Sequence, residues 1–303
     1  MDRDTSLDTY RYLRGGIPVM LVMLGVAVVT EWAGSRSWQT SISAYYFTAV
    51  HAVFIAALCA IGALLIVYKG LKPTEDILLN LAGVLAFIVA FVPTSRPASP
   101  TSEPVLPRTA SDLPVEAVTN DAVIANVWAI VVALVVARAA SWWMYRHTGT
   151  GRELGFIAKV AMWVQRAVLA VGVVTLIVER DWFVSHAHGI AAVVMFLAII
   201  ATVFLTAFMA DKAVLSANPP LYHRIYQCIA ITMVVTLIAA VVVHFALDNF
   251  NHIVLVVEMV LIIEFGVYWA VQTVEKWSPT LTPRDEPAGT RCTPAQERVM
   301  SAL

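Results

Sequence analysis

Long apolar stretches are the feature that most constrains what this chain of 303 residues can fold into. A helix that crosses a bilayer needs about 20 consecutive, mostly apolar residues. Eight stretches meet that requirement: Ile17–Gly34, Tyr46–Tyr68, Ile77–Thr94, Ala122–Met144, Phe156–Val178, His186–Ala210, Ile225–Leu247 and His252–Glu275. Because these stretches use more than half of the chain, the sequence predicts a single all-α domain over residues 1–276, a polytopic membrane helix bundle with eight transmembrane helices.

The composition excludes several other classes of protein. Apolar residues make up 59% of the chain and charged residues 14%, whereas soluble domains carry roughly 25% charged residues. A disordered chain has the opposite composition. The 20 basic and 21 acidic residues nearly balance, so the basic excess of a nucleic-acid-binding protein is missing. Three cysteines are too few for a disulfide scaffold.

Lysine and arginine orient the predicted helices, because they concentrate in the cytoplasmic loops of membrane proteins. With both termini in the cytoplasm, 16 of the 20 basic residues lie inside, and only Arg36, Arg96, Arg108 and Arg180 lie outside. We therefore expect a multi-pass protein of the cell inner (cytoplasmic) membrane. Residues 95–121, rich in proline, serine and threonine, are predicted to form a flexible external loop, and residues 277–303 a disordered cytoplasmic tail.

Ionisable side chains inside the predicted spans are candidates for function, because a charge in the bilayer is costly. Arg166 lies about 10 Å from Lys159 along its helix, and Glu264 lies about 18 Å from either end of the last helix. Arg166 and Glu264 are the candidate buried ion pair; the alternative is that Arg166 extends towards the cytoplasmic interface without a partner. Glu258 shares a stripe with Phe265 and Trp269, about 120° from Glu264.

Histidines collect at the predicted outer helix ends, and they are the candidate metal ligands. His188, His244 and His252 lie at that level together with Glu258. Imidazole and carboxylate groups at one depth can bind zinc or relay protons, and a pair of histidines can hold haem. No single helix offers a ready pair of ligands, since the chain contains no HExxH or HxxxH spacing. The alternative interpretation is that these histidines are interfacial residues bonded to loops, and we expect no cofactor.

The stretch Ser41–Tyr46 precedes the second predicted helix and contains four hydroxyl groups, those of Ser41, Ser43, Tyr45 and Tyr46. Such hydroxyls cap helix starts, or they face an external cavity. Together with His188 and Glu258, these four residues are our candidates for contacts with a ligand.

Several short motifs resemble an uncharacterised family of bacterial multi-pass integral membrane proteins. The matching residues are Ser41, Ser43, Tyr45, Tyr46, Tyr68, Lys69, Gly70, Asp76, Asn80, Ala82, Gly83, Pro93, Thr94, His188, Arg224, Tyr226, Glu258, Phe265, Gly266 and Trp269. The resemblance covers about residues 41–94 and 186–276, and a more distant kinship to Frag1/DRAM/Sfk1-type or ceramidase-like membrane proteins is also conceivable. It implies an architecture of about eight helices and supplies no reaction. The chain departs from the family at His51-Ala52, where Arg-Asp is frequent, and at Glu264, where a small apolar residue is usual.

Three hypotheses about function follow. The first is a non-enzymatic protein that binds or moves a lipid, a small solute or a partner through an outward polar cavity lined by Ser43, Tyr46, His188 and Glu258. The second is a proton- or ion-coupled carrier that uses Glu258 and Glu264. The third is a membrane-embedded, metal-dependent hydrolase with His188, His244, His252 and Glu258 as ligands or acid–base groups. Membrane lipids are expected partners and nucleic acid is not, while the sequence identifies no protein partner.

Overall fold

The computed structural model describes residues 3–70, 72–94, 119–148, 154–209, 219–246, 252–275 and Trp277. Most of the predicted external loop (95–118) and nearly all of the predicted tail (278–303) lie outside the described residues. For residues 3–7, 209, 219 and 244–246 only the backbone is described, so the side chain of the candidate ligand His244 also lies outside them.

Eight α-helices and no strand occur in the described part of the chain, which confirms the all-α prediction. They are α1 (Arg3–Ser35), α2 (His51–Val67), α3 (Pro73–Phe91), α4 (Asn120–Thr148), α5 (Phe156–Val178), α6 (Arg180–Met209), α7 (Pro219–Ala246) and α8 (Ile253–Glu275). All but α2 are long and apolar enough to cross a membrane. The chain is therefore a multi-pass membrane protein.

The start of the second helix differs from the prediction, which placed it at Tyr46. The structure forms a separate 3-10 helix over Ser43–Phe47, and α2 begins only at His51. At 17 residues, α2 is about 25 Å long, slightly short of a typical hydrocarbon core. The prediction was wrong here because apolarity alone does not show which backbone groups a distant side chain engages.

The other boundaries agree with the predicted spans to within six residues, except that α1 begins at Arg3, 14 residues before the predicted start at Ile17. The bounds of α5 coincide with the prediction, and the flanking helices extend the predicted spans by a few residues. The third helix ends at Phe91 instead of Thr94, because Pro93 lacks an N–H and disfavours helix in the residue before it. The fourth begins at Asn120, so the last two residues of the predicted loop are helical.

Consecutive helices alternate in direction, which gives the bundle two ends. Arg14 near the start of α1 bonds Tyr68 at the end of α2, and Tyr226 near the start of α7 bonds Glu275 at the end of α8. We name this the basic end, where α1, α3, α5 and α7 begin. The opposite end, where α1 ends, is named the far end; there the Leu255 N–H donates to the Thr40 carbonyl over 3.1 Å.

The main core lies between α1, α2, α3, α6, α7 and α8, with Trp269 and Val203 fully buried. A close contact between two glycines joins α2 and α3 near the middle of the bundle. A Cβ at Gly83 would lie 2.6 Å from the Gly62 carbonyl oxygen, and a Cβ at Gly62 would lie 2.8 Å from the Gly83 carbonyl oxygen. Only glycine permits this approach. The helices α4 and α5 are the least buried of the membrane-length helices.

Candidate functional site

At the far end, Glu258 of α8 holds the segment before α2. Its carboxylate accepts a 2.6 Å hydrogen bond from the Ile42 N–H, 216 residues away in the chain. The N–H and the hydroxyl of Ser43 also donate to this carboxylate. We name this arrangement of Glu258, Ile42 and Ser43 the Glu258 clamp. It explains why the segment leaves the helical path of α2, since Glu258 takes up the first backbone donors of the 3-10 helix.

The four predicted hydroxyl groups lie in this segment and point to different partners. The Ser41 hydroxyl accepts the Ala44 N–H over 3.0 Å, which is the capping role. Ser43 is buried against Glu258. The Tyr46 ring packs edge-on against His51, 4.3 Å between centroids. Of the four, Ser43 alone is a described partner of Glu258, and the other three lie within three residues of it in the same segment.

Tyr45 is the most enclosed member of the segment, with 0% of its surface exposed. Its hydroxyl is buried and donates to no described group, while the Gln39 backbone interacts with its oxygen. The ring packs with Leu24, Phe54 and Leu255 in a cluster at the far end. Burial raises the pKa of the Tyr45 phenol, so the hydroxyl keeps its proton. It is therefore an unused donor, and a buried donor without an acceptor costs about 1–3 kcal/mol.

His188 lies at the far end too, but in another place. Its Nδ1 is 2.6 Å from the Val92 carbonyl at the end of α3, and its surroundings include Phe183 and Ala187 of the cluster that α3, α4, α5 and α6 form. This cluster shares no residue with the one around Tyr45. The four residues predicted to line one cavity therefore fall into two groups, Ser43, Tyr46 and Glu258 in one and His188 in the other.

Arg166 and Glu264 form no ion pair in the described part of the chain. The Glu264 carboxylate accepts the Thr236 hydroxyl of α7 over 3.0 Å, and the Thr232 hydroxyl of the same helix is its second described neighbour. The Arg166 guanidinium lies 5.3 Å from the centroid of the Trp163 ring on its own helix. The two residues have similar depths, but α5 packs on α3 and α6 whereas α8 packs mainly on α7 and α1.

The described residues contain no group of three or more His, Cys, Asp or Glu side chains that could hold a metal ion. Of the candidate metal ligands, His188 bonds the Val92 carbonyl and His252 is half-buried beside the start of α8. His244 has no described side chain. The described residues therefore give no support for a bound zinc ion or haem.

A second polar assembly occupies the basic end, and the sequence did not single it out as a site. Six side chains form a continuous series of hydrogen bonds across five helix ends. In order they are Arg14 to Tyr68 (3.3 Å), Tyr68 to Gln272 (3.2 Å), Gln272 to Tyr268 (3.0 Å), Tyr268 to Thr206 (3.3 Å) and Thr206 to Glu75 (2.6 Å). We name this series the polar chain. Except for the half-buried Thr206, its members are at most 7% exposed.

The polar chain has a single direction when Thr206 donates its one hydroxyl proton to Glu75 (2.6 Å) and not to the Thr202 carbonyl (2.9 Å). Arg14 can only donate and the Glu75 carboxylate can only accept. If Thr206 donates to Glu75, Tyr268 must donate to Thr206, and Gln272 uses its amide group as donor on one side and its carbonyl as acceptor on the other. Each intervening hydroxyl thus accepts one bond and donates one. The guanidinium also lies over the Tyr10 ring, 4.1 Å from its centroid, a favourable contact for a buried cation.

The members of the polar chain are individually unremarkable in sequence. Each lies near the end of a predicted span, where polar and aromatic residues are typical of the membrane interface. Tyr68 entered the sequence analysis only through the Tyr68-Lys69-Gly70 motif. A usable signal was the pair Tyr268 and Gln272, which lie four residues apart on the inward face of the last helix.

The two ends differ in the polar groups that they provide and in how those groups are bonded. The polar chain links six groups at five helix ends, an arrangement that fixes helix positions, although the Arg14 Nε and the neighbouring Trp269 Nε1 are buried without a described partner. The far end combines one carboxylate inside a membrane-length helix, a short irregular backbone segment and an unused phenol donor. Irregular backbone at membrane depth is tolerated where it is buried in protein or lines a cavity. The far end is therefore the candidate functional site.

Comparison of the chain with protein-family models, with curated proteins and with solved structures finds no match. The resemblance to the uncharacterised bacterial family accordingly stays a prediction, and the assignment of function depends on the geometry alone.

Proposed function

We propose that this chain is an integral protein of the cytoplasmic membrane that binds, and in doing so moves, a lipid or small solute at its far end, which faces outward. Both termini lie in the cytoplasm in this proposal, and α2 is the eighth span. The 16-to-4 distribution of basic residues supports the orientation.

The Glu258 clamp is the observation that carries the proposal. A carboxylate within an apolar helix marks a functional site more often than a structural one, and this one engages the backbone donors of Ile42 and Ser43 instead of a cation. A polar ligand group can take over the same N–H and hydroxyl donors. The segment Ser41–Tyr46 would then separate from α8 and expose the Tyr45 hydroxyl as a further donor.

Extraction of ligands from the purified protein tests this proposal. Wild-type protein and Glu258→Ala protein are purified in the same detergent, and bound lipids and small molecules are identified by mass spectrometry. We expect one component enriched over the bulk membrane extract in the wild-type sample and depleted in the variant, because the clamp that positions the donors has gone.

The matched control is Glu179→Gln, which removes an exposed carboxylate at the same end of the bundle and should retain the component. Two samples with the composition of the bulk membrane would contradict the proposal. So would a component that the Glu258→Ala protein holds as well as the wild type does.

A proton-coupled carrier is the second candidate, and Glu264 favours it. This carboxyl group lies at the middle of α8, and its described partners are the hydroxyls of Thr236 and Thr232, with no cation beside it in the described part of the chain. Intramembrane carboxyl groups without a cation are typical of proton relays.

Proteoliposomes that contain a pH-sensitive dye test the carrier. With an imposed pH gradient, we expect wild-type protein to admit protons faster than empty vesicles and Glu264→Gln protein to match the empty vesicles. Equal proton entry for the wild type and the variant would exclude Glu264 as the relay. The exposed Glu179→Gln variant again serves as the control.

A further inference from the structure

One buried side chain at the far end plays no part in the Glu258 clamp. His188 is 5% exposed, and its Nε2 atom is buried without a described hydrogen-bond partner. Its Nδ1 atom lies 2.6 Å from the Val92 carbonyl oxygen, and the Val89 backbone is a second neighbour of the ring. One ring nitrogen thus ties α6 to the end of α3, and the other is available to a further group.

The bond to Val92 decides which ring nitrogen of His188 carries the proton. A carbonyl oxygen can only accept a hydrogen bond, so Nδ1 must donate. No carboxylate lies within salt-bridge distance of His188 in the described part of the chain, where Arg11 and Asp8 are the one such pair. A buried imidazolium without a carboxylate is costly, so the ring is neutral. Its Nε2 atom therefore presents a lone pair, which accepts a hydrogen bond and cannot donate one.

The part of the fold around His188 is apolar. Val92, to which His188 is bonded, belongs to a cluster with Val127 of α4, Leu176 of α5 and Phe183 of α6. A ligand that reaches the Nε2 atom must bring its own hydrogen-bond donor. The rest of the ligand must be apolar, because a charged group would be buried here without a partner. These two requirements describe a hydroxyl group on a lipid-soluble body.

Trp182 shows how deep His188 lies in the membrane. Trp182 is 45% exposed near the start of α6, and exposed tryptophans collect at the headgroup level. His188 follows it by six residues, which is about 9 Å along the helix. Since the polar region on each side of a bilayer is about 5–8 Å thick, His188 lies at the edge of the hydrocarbon. The hydroxyl of a neutral lipid reaches this depth more easily than a charged headgroup does.

Helix α4 borders the cluster around Val92 and is loosely attached to the bundle. Its buried residues are Val123 and Val127, both near the far end, and from Val132 onward most of its side chains are exposed. The helices α4 and α5 each pack on α3 and α6 and make no substantial contact with each other. A lipid can therefore approach the cluster from between α4 and α5, and an outward shift of the start of α4 would admit it.

We infer that the far ends of α3, α4, α5 and α6 form a binding site for a neutral, lipid-soluble alcohol, whose hydroxyl donates a hydrogen bond to the His188 Nε2 atom. This bond satisfies a buried acceptor, and its formation favours binding. Prenyl alcohols and diacylglycerols share the required chemistry. The site shares no residue with the Glu258 clamp and does not depend on the proposed function.

Native mass spectrometry of the full chain tests the inference with two pairs of probes, farnesol with its methyl ether and dioctanoylglycerol with its methyl ether. Each ether lacks the hydroxyl proton and keeps the apolar body. We expect wild-type protein to retain at least one alcohol about tenfold better than its ether, which corresponds to about 1.4 kcal/mol and is typical of one buried hydrogen bond. The pair with the larger preference identifies the class of alcohol. Equal retention within both pairs would overturn the inference.

His188→Phe removes the acceptor and should abolish the preference for the alcohol. The matched control is His186→Phe, which replaces an exposed histidine that contacts the Trp182 carbonyl of its own helix and should keep the preference. Glu258→Ala should keep it too, so failure of the proposed function and failure of this inference are distinguishable. A preference that survives in His188→Phe would overturn the inference.

A measurement on the wild type alone keeps the inference testable if His188→Phe fails to fold. In protein labelled with nitrogen-15, the Nε2 resonance of His188 should shift when the preferred alcohol is added, because a lone pair that accepts a hydrogen bond changes its electronic environment. The matching ether should leave the resonance in place. A resonance that the alcohol does not move would show that the alcohol binds elsewhere, which contradicts the inference.

Discussion

The two ends of the bundle hold polar side chains in membrane-length helices by different means. At the basic end, Arg14 and Glu75 are separated by four neutral groups, each of which donates one hydrogen bond and accepts another. At the far end, one carboxylate engages backbone donors of a short segment, while the Tyr45 hydroxyl donates to no described group and the second His188 nitrogen is buried without a described partner. Buried polar atoms without a described partner occur at both ends, since the Arg14 Nε and the Trp269 Nε1 at the basic end also lack one. The ends differ instead in how many elements their hydrogen bonds link, five helices at the basic end and one helix with one short segment at the far end.

This difference indicates which end of the bundle can rearrange when a ligand binds. A buried network that links five helices stabilises one arrangement of them, because each broken link leaves a buried group unpaired. The contact between one carboxylate and one short segment can be exchanged for contacts with a ligand without breaking hydrogen bonds between the other helices. We therefore expect the basic end to behave as a scaffold and the far end as the part that responds to a ligand.

Gln272→Leu should give the largest effect, at the basic end. The substitution removes both the acceptor of the Tyr68 hydroxyl and the donor to Tyr268, so we expect a loss of about 2–4 kcal/mol in the free energy of unfolding. Denaturant titration in mixed micelles measures it. Gln165→Leu, at a half-buried position of α5, is the control and should cost little. A cost for Gln272→Leu no greater than that of the control would contradict a scaffold role.

Gly83→Ala should disturb both ends together, because α2 and α3 carry residues of each. The added Cβ would lie 2.6 Å from the Gly62 carbonyl oxygen, and overpacking of this kind costs about 2–3 kcal/mol. Gly172→Ala, whose Cβ meets nothing within 4 Å, should be neutral or stabilising. Thermal unfolding of the two variants, followed by circular dichroism, compares them. Equal midpoints for both variants would show that the glycine contact does not fix the helix pair.

The variants Tyr68→Phe and Tyr45→Phe compare the two ends directly, because each removes a single hydroxyl group from one end. Loss of the Tyr68 hydroxyl leaves Arg14 and Gln272 without their shared partner, at a cost of about 1–2 kcal/mol. The Tyr45 hydroxyl donates to no described group and interacts with the Gln39 backbone alone, so its removal should leave the free energy of unfolding nearly unchanged. The same denaturant titration measures both variants. Similar losses in the free energy of unfolding at the two positions would contradict the proposed difference between the ends.

The sequence predicts much of the fold, because helix length and apolarity are local properties. The bounds of α5 agree with the prediction. On α8, Phe265 and Trp269 of the predicted stripe are buried. The start of α2 was wrong because the donors of Ile42 and Ser43 are engaged by Glu258 from the last helix. Nothing near residue 46 in the chain reports that contact.

The candidate site was predictable in depth and not in lateral position. Glu258 and the segment Ser41–Tyr46 share a level, and the structure brings them together. His188 has the same level yet bonds the Val92 carbonyl in a different cluster, and Arg166 has no contact with Glu264. Hydropathy gives the depth of a residue, whereas the order of helices around the bundle is set by packing between distant segments.

Glu258→Gln should give the most local effect, which makes it the sharpest test of the far end. The amide oxygen still accepts the Ile42 N–H, but the bond loses the assistance of a full charge, worth about 1 kcal/mol. Amide hydrogen exchange at Ile42 and Ser43 should then accelerate about fivefold, since local opening is governed by the free energy of the clamp. Exchange at the basic end should stay as in the wild type, and Glu179→Gln should change neither end. Faster exchange throughout the bundle would mean that Glu258 stabilises the whole fold, and the far end would then be as much a scaffold as the polar chain.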